Sequence, residues 1–316
     1  MKATAVAHAN IALVKYWGKR DETRLLPESA SLSIALDKLT TTTTVELGAS
    51  KDELVLDGKP AAPGELARAR ALLDAAGIRE PARMVSRNDF PTGAGLASSA
   101  SGFAALAVAA SAAAGQTRSA RELSALARLG SGSASRSVPG GWAVWDDEAA
   151  EQVFPPEHWD LRFAVAICAA GPKTVGSRDG MRSSRESSPY HEAWIAQCQE
   201  DLPEALRLLG ARDLPGLGAL AERNSLRMHA DALAANPPLL YWEPATVGCL
   251  HLLRRLREEG ISVWATIDAG PHLVAICEKV DAPRVEAALR EVQGVREVLL
   301  CAPAGGARVV MAPSQP

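Results

Sequence analysis

Residues Pro91 to Ala100, PTGAGLASSA, set two glycines and two serines directly before a long alanine-rich helical pattern, Ser101 to Ala114. A chain with this junction must fold so that a glycine loop runs into a helix start. The first turn of a helix has backbone N–H groups without intrahelical partners, and it carries the positive end of the dipole. Together these bind phosphate. Serine hydroxyls beside them add a donor to phosphate oxygens and an oxygen ligand for Mg²⁺. An ordinary loop with a Ser N-cap has the same composition, so the junction alone leaves both readings open. It is not a Walker A loop, because no Gly-Lys-Ser/Thr follows the glycines, and it is not G-x-G-x-x-G.

What surrounds the junction narrows the class. At 316 residues and 47% apolar, the chain is long enough for one large or two medium domains, each with a full core. A net charge of −3 gives no general basic surface for nucleic acid. The longest small and apolar run, Gly102 to Ala114, falls short of the about 20 residues a membrane span needs. Met1 to Val14 faintly mimics a signal peptide, but His8 and Asn10 interrupt it, so no leader is expected. Cys168, Cys198, Cys249, Cys277 and Cys301 form no C-x-x-C pair, which fits a reduced, cytoplasmic chain with buried thiols. The six histidines show no metal-ligand spacing.

Strand patterns are expected at Thr40–Leu47, Glu53–Asp57, Ala82–Asn88, Trp142–Trp145, Leu161–Ala169, Val263–Ile267, Leu273–Glu278 and Val295–Ala302. Helical patterns fall at Gly64–Ala76, Ser101–Ala114, Arg118–Leu129, Tyr190–Leu209 with a break near Pro203, Leu214–Ala234, Ala245–Glu259 and Ala282–Glu291. Asp146 to Asp160 reads as a linker or surface loop, and the tail beyond Pro303 carries little pattern. Strands and helices mix without regular βαβ alternation, so the class is α+β. The composition shift near residue 160 divides the chain into 1–159 and 160–316.

Four widely separated segments could carry chemistry. Asn10 to Asp21, NIALVKYWGKRD, holds Lys15 and Lys19, two of only eight lysines, and they share a face if the piece is helical. Ser29 to Ser33 is rich in hydroxyls. The Pro91 junction is the third. The fourth comprises Ser131-Gly132-Ser133-Ala134-Ser135-Arg136 and Asp268-Ala269-Gly270-Pro271. An arginine after a small-residue loop presents a planar fork to carboxylate or phosphate. An Asp after an apolar strand forms a turn or places a carboxylate at a strand end.

Taken together, K-Y-W-G-K, S-A-S-L-S, N-D-F-P-T-G-A-G-L-A-S-S-A, S-G-S-A-S-R and D-A-G-P resemble the diphosphomevalonate decarboxylase family of the GHMP kinase superfamily. The resemblance spans Asn10 to about Gly270. It implies a two-domain GHMP kinase fold: an N-terminal ribosomal-protein-S5-like domain and a C-terminal ferredoxin-like α/β sandwich, with the site in the cleft between them. The implied reaction uses ATP as co-substrate, with Mg²⁺. It phosphorylates the 3-hydroxyl of mevalonate 5-diphosphate, then loses phosphate and CO₂ to give isopentenyl diphosphate. A cytoplasmic homodimer without nucleic-acid or membrane partners is implied as well.

By the same resemblance, Asp268 orients the 3-hydroxyl, Lys15 stabilises charge beside it, and Arg136 holds the C1 carboxylate. Tyr16, Trp17, Gly18, Lys19, Arg68, Ser131, Gly132, Ser133, Ala134, Ser135 and Arg178 fall to the substrate. Gly93, Gly95, Leu96, Ala97, Ser98 and Ser99 fall to ATP, with Ser99 also on Mg²⁺. Arg70 lies close enough to Arg68 to leave that register open. Arg178 stands where a small hydroxyl residue is expected, and Pro139 also departs from the family pattern. A phosphomevalonate decarboxylase and a mevalonate 3-kinase-like enzyme therefore remain the alternatives.

Overall fold

The computed structural model describes residues 1–90, 98–171 and 173–310. Gly93, Gly95, Leu96 and Ala97 lie outside the described residues. In chain order the first half forms β1 (Lys2–Val14), β2 (Lys19–Asp21), β3 (Leu26–Pro27), β4 (Ser31–Leu47), β5 (Glu53–Leu56), β6 (Lys59–Pro60), α1 (Pro63–Ala75), β7 (Ala82–Asn88), α2 (Ser98–Ala113), α3 (Ala120–Gly130), α4 (Ala134–Ser137), β8 (Trp142–Trp145) and β9 (Ala150–Phe154). The second half forms β10 (Leu161–Ile167), α5 (Ser177–Ser187), α6 (His191–Ala211), α7 (Leu214–Leu233), α8 (Pro244–Glu258), β11 (Val263–Ile267), β12 (Leu273–Glu278), α9 (Ala282–Arg290), β13 (Glu297–Cys301) and β14 (Arg308–Val310).

The first sheet runs β14-β1-β4-β7-β5-β6, with β8 and β9 continuing from the other end of β4. The length of β4 explains the branch: Thr41–Leu47 pairs with β7, and Ser31–Ile34 pairs with β8. Beside it, β1 shifts register between His8 and Asn10. A bulge adds one residue and so exchanges the faces of all that follow. Ala5 and Ala7 therefore pack with α1 and α2, whereas Ile11 and Leu13 enter a core shared with the second sheet. Asn10 and Ala12 are turned toward the cleft.

The second sheet, β11-β12-β10-β13, is antiparallel throughout. One face packs on α8 and α9 through Leu253, Leu256, Val285 and Leu289. The other contributes Phe163 and Val165 to a core with Leu32, Ile34, Trp142, Leu208 and Leu217. That continuous core fixes the two sheets against each other.

Four sequence expectations are corrected. Asp146 to Asp160 contains β9, hidden in the sequence because Glu151, Gln152 and Val153 face solvent. α6 runs unbroken through Pro203, which is exposed, so the carbonyl its missing N–H releases is on the solvent side. The segment after Pro303 supplies β14, antiparallel to β1. Lys15 and Lys19 do not share a helix face: β1 ends at Val14 and β2 begins at Lys19. All five cysteines are free and buried.

Candidate active site

A cleft of about 350 Å³ opens where β1, α2, α4, α5 and the end of β11 meet. Among the described residues, six cations line it (Lys15, Lys19, Arg68, Arg136, Lys173 and Arg178) against one carboxylate, Asp268. So unequal a lining fits a ligand with several negative charges.

The carboxylate sits at one side, immediately after β11. Thr266 on that strand donates its hydroxyl to Ala12 O at 3.0 Å, which ties β11 to the end of β1. Lys15 Nζ donates to Asp268 Oδ1 at 2.5 Å and to Ala12 O at 2.8 Å. The Lys15 backbone N–H donates to Asn224 Oδ1 at 2.8 Å, and Asn224 Nδ2 donates to Asp201 at 2.8 Å. Burial lowers the Lys15 pKa, Asp268 opposes that shift, and the nearby Arg136 adds to it. The lysine side chain is 1% exposed and that of Asp268 27%, so the carboxylate is the partner a substrate can reach.

Arg136 lies on α4, with Nε donating to Asn10 Oδ1 at 3.1 Å and NH1 to Ser31 Oγ at 2.6 Å. Asn10 in turn donates Nδ2 to Ser133 O at 3.0 Å and Ser137 Oγ at 2.8 Å, fastening the α4 turn to β1. The guanidinium also lies over the Trp145 ring, 5.8 Å from its centroid. Burial depresses its pKa to about 10, and among the described residues it forms no ion pair. A buried cation held by neutral partners is incomplete without an anion.

The remaining cations form the other end of the cleft. Lys19 Nζ donates to Glu22 at 2.8 Å. Arg68 reaches Gly130 O at 3.4 Å and covers the Phe103 ring. Arg70, its neighbour in register, is instead tied to Asp52, Asp74 and the Ile78 carbonyl, and it does not line the cleft. Burial lowers the Arg68 and Lys19 pKa values, and proximity to Arg178 lowers both further. Arg178 lies in the first turn of α5, beside Gly176 and Ser177, a helix start that adds its own positive end.

The small-residue loops line the wall between these ends. Ser98 and Ser99 open α2, and Ser99 Oγ, Ser131 Oγ and Ser133 Oγ form a chain with 3.3 Å steps. Tyr16 packs edge-on against Trp145 with centroids 4.7 Å apart, and Trp17 donates Nε1 to Ser184 at 3.0 Å. Gly18 lies against Glu28 rather than on the cleft. Ala134 and Ser135 also do not line it, being fully buried. Ser135 Oγ instead donates to Gly132 O at 2.7 Å, shaping the turn that presents Ser133 and Arg136. A Cβ at Gly132 would stand 2.8 Å from Tyr16 Oη and 2.9 Å from the Trp145 ring. Gly132→Ala is therefore expected to lower stability by about 1–3 kcal/mol, read as a fall in Tm.

Sequence reasoning missed Lys173. Its Nζ donates to Ser177 Oγ and to Ala269 O, each at 2.6 Å, beside Asp268. Burial lowers its pKa to about 8, against the opposing pull of Asp268. The free protein thus holds this charge below pH 8 and loses it above. Anion affinity should fall as pH rises through about 8, by up to about tenfold per pH unit while a bound anion keeps the ammonium charged. A Lys173→Met variant should lack that inflection in a calorimetric pH series.

A nucleotide-dependent small-molecule enzyme of the GHMP kinase fold is the class these two sheets and this phosphate-handling cleft define. Comparison with known proteins gives the family. Residues 7–153 match the model of the diphosphomevalonate decarboxylase-like N-terminal domain, and residues 163–303 match the mevalonate 5-diphosphate decarboxylase C-terminal domain. The chain belongs to the diphosphomevalonate decarboxylase family. The human diphosphomevalonate decarboxylase is 35% identical, with 86% of this chain and 75% of that protein covered. The mevalonate diphosphate decarboxylase structure from Staphylococcus aureus superposes with a TM-score of 0.92 at 35% identity, covering 98% of each chain. That from Enterococcus faecalis gives 0.89 at 35%, covering 99% of each.

Proposed function

We propose that this protein is an ATP-dependent decarboxylase that converts mevalonate 5-diphosphate to isopentenyl diphosphate, CO₂, ADP and phosphate. The observation that carries this reading is one cleft holding both the Lys15–Asp268 pair and Arg136, a buried guanidinium with no carboxylate of its own. A related structure, MDDEF in complex with MVAPP, AMPPCP and magnesium, superposes with a TM-score of 0.91 at 36% identity. It supports the same assignment.

In this reading the 3-hydroxyl lies against Asp268, which orients it and takes its proton as the γ-phosphoryl group arrives. Lys15 offsets the charge developing there. Departure of the new phosphate takes the C3–O electrons, and the C1–C2 electrons become the alkene as CO₂ leaves. Arg136 keeps the carboxylate aligned for that cleavage, while Lys19, Arg68 and Arg178 hold the substrate diphosphate. Ser131, Gly132, Ser133 and Tyr16 form the wall between the two ends.

Ser98 and Ser99 take ATP phosphates. The adjoining apolar pocket of Leu54, Leu56, Ala69, Phe103 and Leu106 suits the base. Among the described residues no His, Cys, Asp and Glu side chains converge as a metal site. This suits Mg²⁺, which binds through substrate phosphates and water with one or two protein oxygens, Ser99 Oγ being one. Bound with ATP, the ion neutralises charge on the transferring phosphoryl group.

The division of the chain at 159/160 and a cytoplasmic homodimer complete the proposal. No helix among the described residues is long and apolar enough to cross a membrane. Light scattering tests the dimer. A coupled ADP-release assay with parallel CO₂ capture, run on mevalonate, its 5-phosphate and its 5-diphosphate, tests the reaction. Equal ADP and CO₂ with the diphosphate preferred is the expected result. Preference for the monophosphate would assign Arg178 to a shorter substrate. ADP without CO₂ would make the protein a 3-kinase, and CO₂ without ADP would end the proposal.

A further inference from the structure

Behind the cleft, three ionisable groups from three separate segments meet around one imidazole. His191, the first residue of α6, has Nδ1 2.9 Å from Asp231 Oδ2 on α7 and Nε2 3.3 Å from Glu28 Oε2 ahead of β4. Arg185 on α5 approaches the same Glu28 oxygen at 4.0 Å. Asp231 is fully buried, and its other oxygen, Oδ1, has no hydrogen-bond partner. A helix start is the wrong end for a cation. A fully buried carboxylate with one partner nevertheless requires that partner to be positive. Both ring nitrogens facing carboxylate oxygens is the arrangement of an imidazolium, which donates from each.

The cluster lies against the segment that carries the cleft's lysines. From Trp17 to Lys19, each backbone carbonyl is taken by one of its neighbours. Trp194, one turn along α6 from His191, donates Nε1 to Trp17 O at 3.0 Å. The Glu28 backbone N–H donates to Gly18 O at 3.1 Å. Arg185 donates to Lys19 O at 2.6 Å. Glu28 thus has its backbone on Gly18 and its carboxylate on His191, while α6 carries both His191 and Trp194.

We propose that His191, held between Asp231 and Glu28, is a positioning residue that fixes the Lys15–Lys19 segment for the phosphate end of the substrate. It touches no substrate itself. The inference rests on the cleft being the diphosphate site. Burial works against the charged ring, but Asp231 and Glu28 outweigh it, so the pKa of His191 lies above 6.5. The clamp is therefore complete below pH 6.5 and is released as pH rises through that higher value.

The experiment compares the wild type with the neutral, hydrogen-bonding double variant His191→Gln/Asp231→Asn, and with Glu28→Gln. It measures steady-state rates on mevalonate 5-diphosphate and calorimetric binding of inorganic diphosphate from pH 6 to 9. At pH 6.5 each variant should raise KM and the diphosphate Kd by about tenfold, with kcat within about twofold, the signature of lost binding rather than lost chemistry. By pH 9 the wild type should converge on the variants. The Lys173 inflection is common to all three and cancels in the comparison. Variants that match the wild type in KM and Kd at pH 6.5, whatever their Tm, overturn the proposal, as does a fall in kcat at constant KM. If the wild type turns over no phosphorylated mevalonate, the assigned reaction fails, while the diphosphate titration still decides the role of His191.

Discussion

Asp268→Asn should eliminate ADP and CO₂ release together, lowering kcat by about 10²–10⁴-fold, the contribution of a positioned acid–base group. Both products should fall because the hydroxyl must be phosphorylated before anything can leave. The variant should remain folded, since Asp268 is partly exposed and the asparagine still accepts a hydrogen bond from Lys15. Its second consequence falls on the lysine. Asp268 is the carboxylate that opposes the effect of burial on Lys15. Without it, the Lys15 pKa drops further and the ammonium deprotonates. Single-turnover quench and circular dichroism check the two halves. Full ADP release with only CO₂ lost would place Asp268 after phosphoryl transfer and refute its assignment.

Arg136→Lys should do the reverse and separate the two products. The guanidinium reaches Asn10 and Ser31 from two of its nitrogens and keeps the rest of its fork for the substrate. A lysine ammonium cannot hold both anchors and also grip a carboxylate in two places. Misplacing the carboxylate by about 1 Å costs on the order of 10²-fold in rate. The loss falls on carbon–carbon cleavage, so the CO₂-to-ADP ratio should drop below one as 3-phosphorylated intermediate accumulates. Phosphorus NMR of the quenched reaction reads that species directly. A unit ratio at the wild-type rate would remove Arg136 from the mechanism.

Arg136 and Asp268 were legible because each follows a short run of small residues, a local pattern that survives without the fold. Their partners were not. Lys173 has nothing informative beside it in sequence, and its ligands, Ser177 and Ala269, converge only when α5 meets the end of β11. The Lys15–Lys19 geometry was misread because β1 is buried on both faces over its second half, which erases the alternation that marks a strand. α5 escaped notice for the opposite reason: Met181 is its only large apolar residue, so no stripe was visible. Arg68 and Arg70 were inseparable in sequence. The fold separates them by giving Arg70 carboxylates and leaving Arg68 at the cleft.

The pairing of β14 with β1 has a consequence for how such a chain is made. Synthesis proceeds from the amino end, so β1 emerges first and its outer edge stays unsatisfied until Arg308–Val310 arrives. An open strand edge is a template for the wrong partner. Through nearly the whole of translation, the element that leads into the catalytic lysine is also the one most exposed to mispairing. The nascent first half depends on the last residues for protection, so the two halves mature as one cooperative unit rather than in succession.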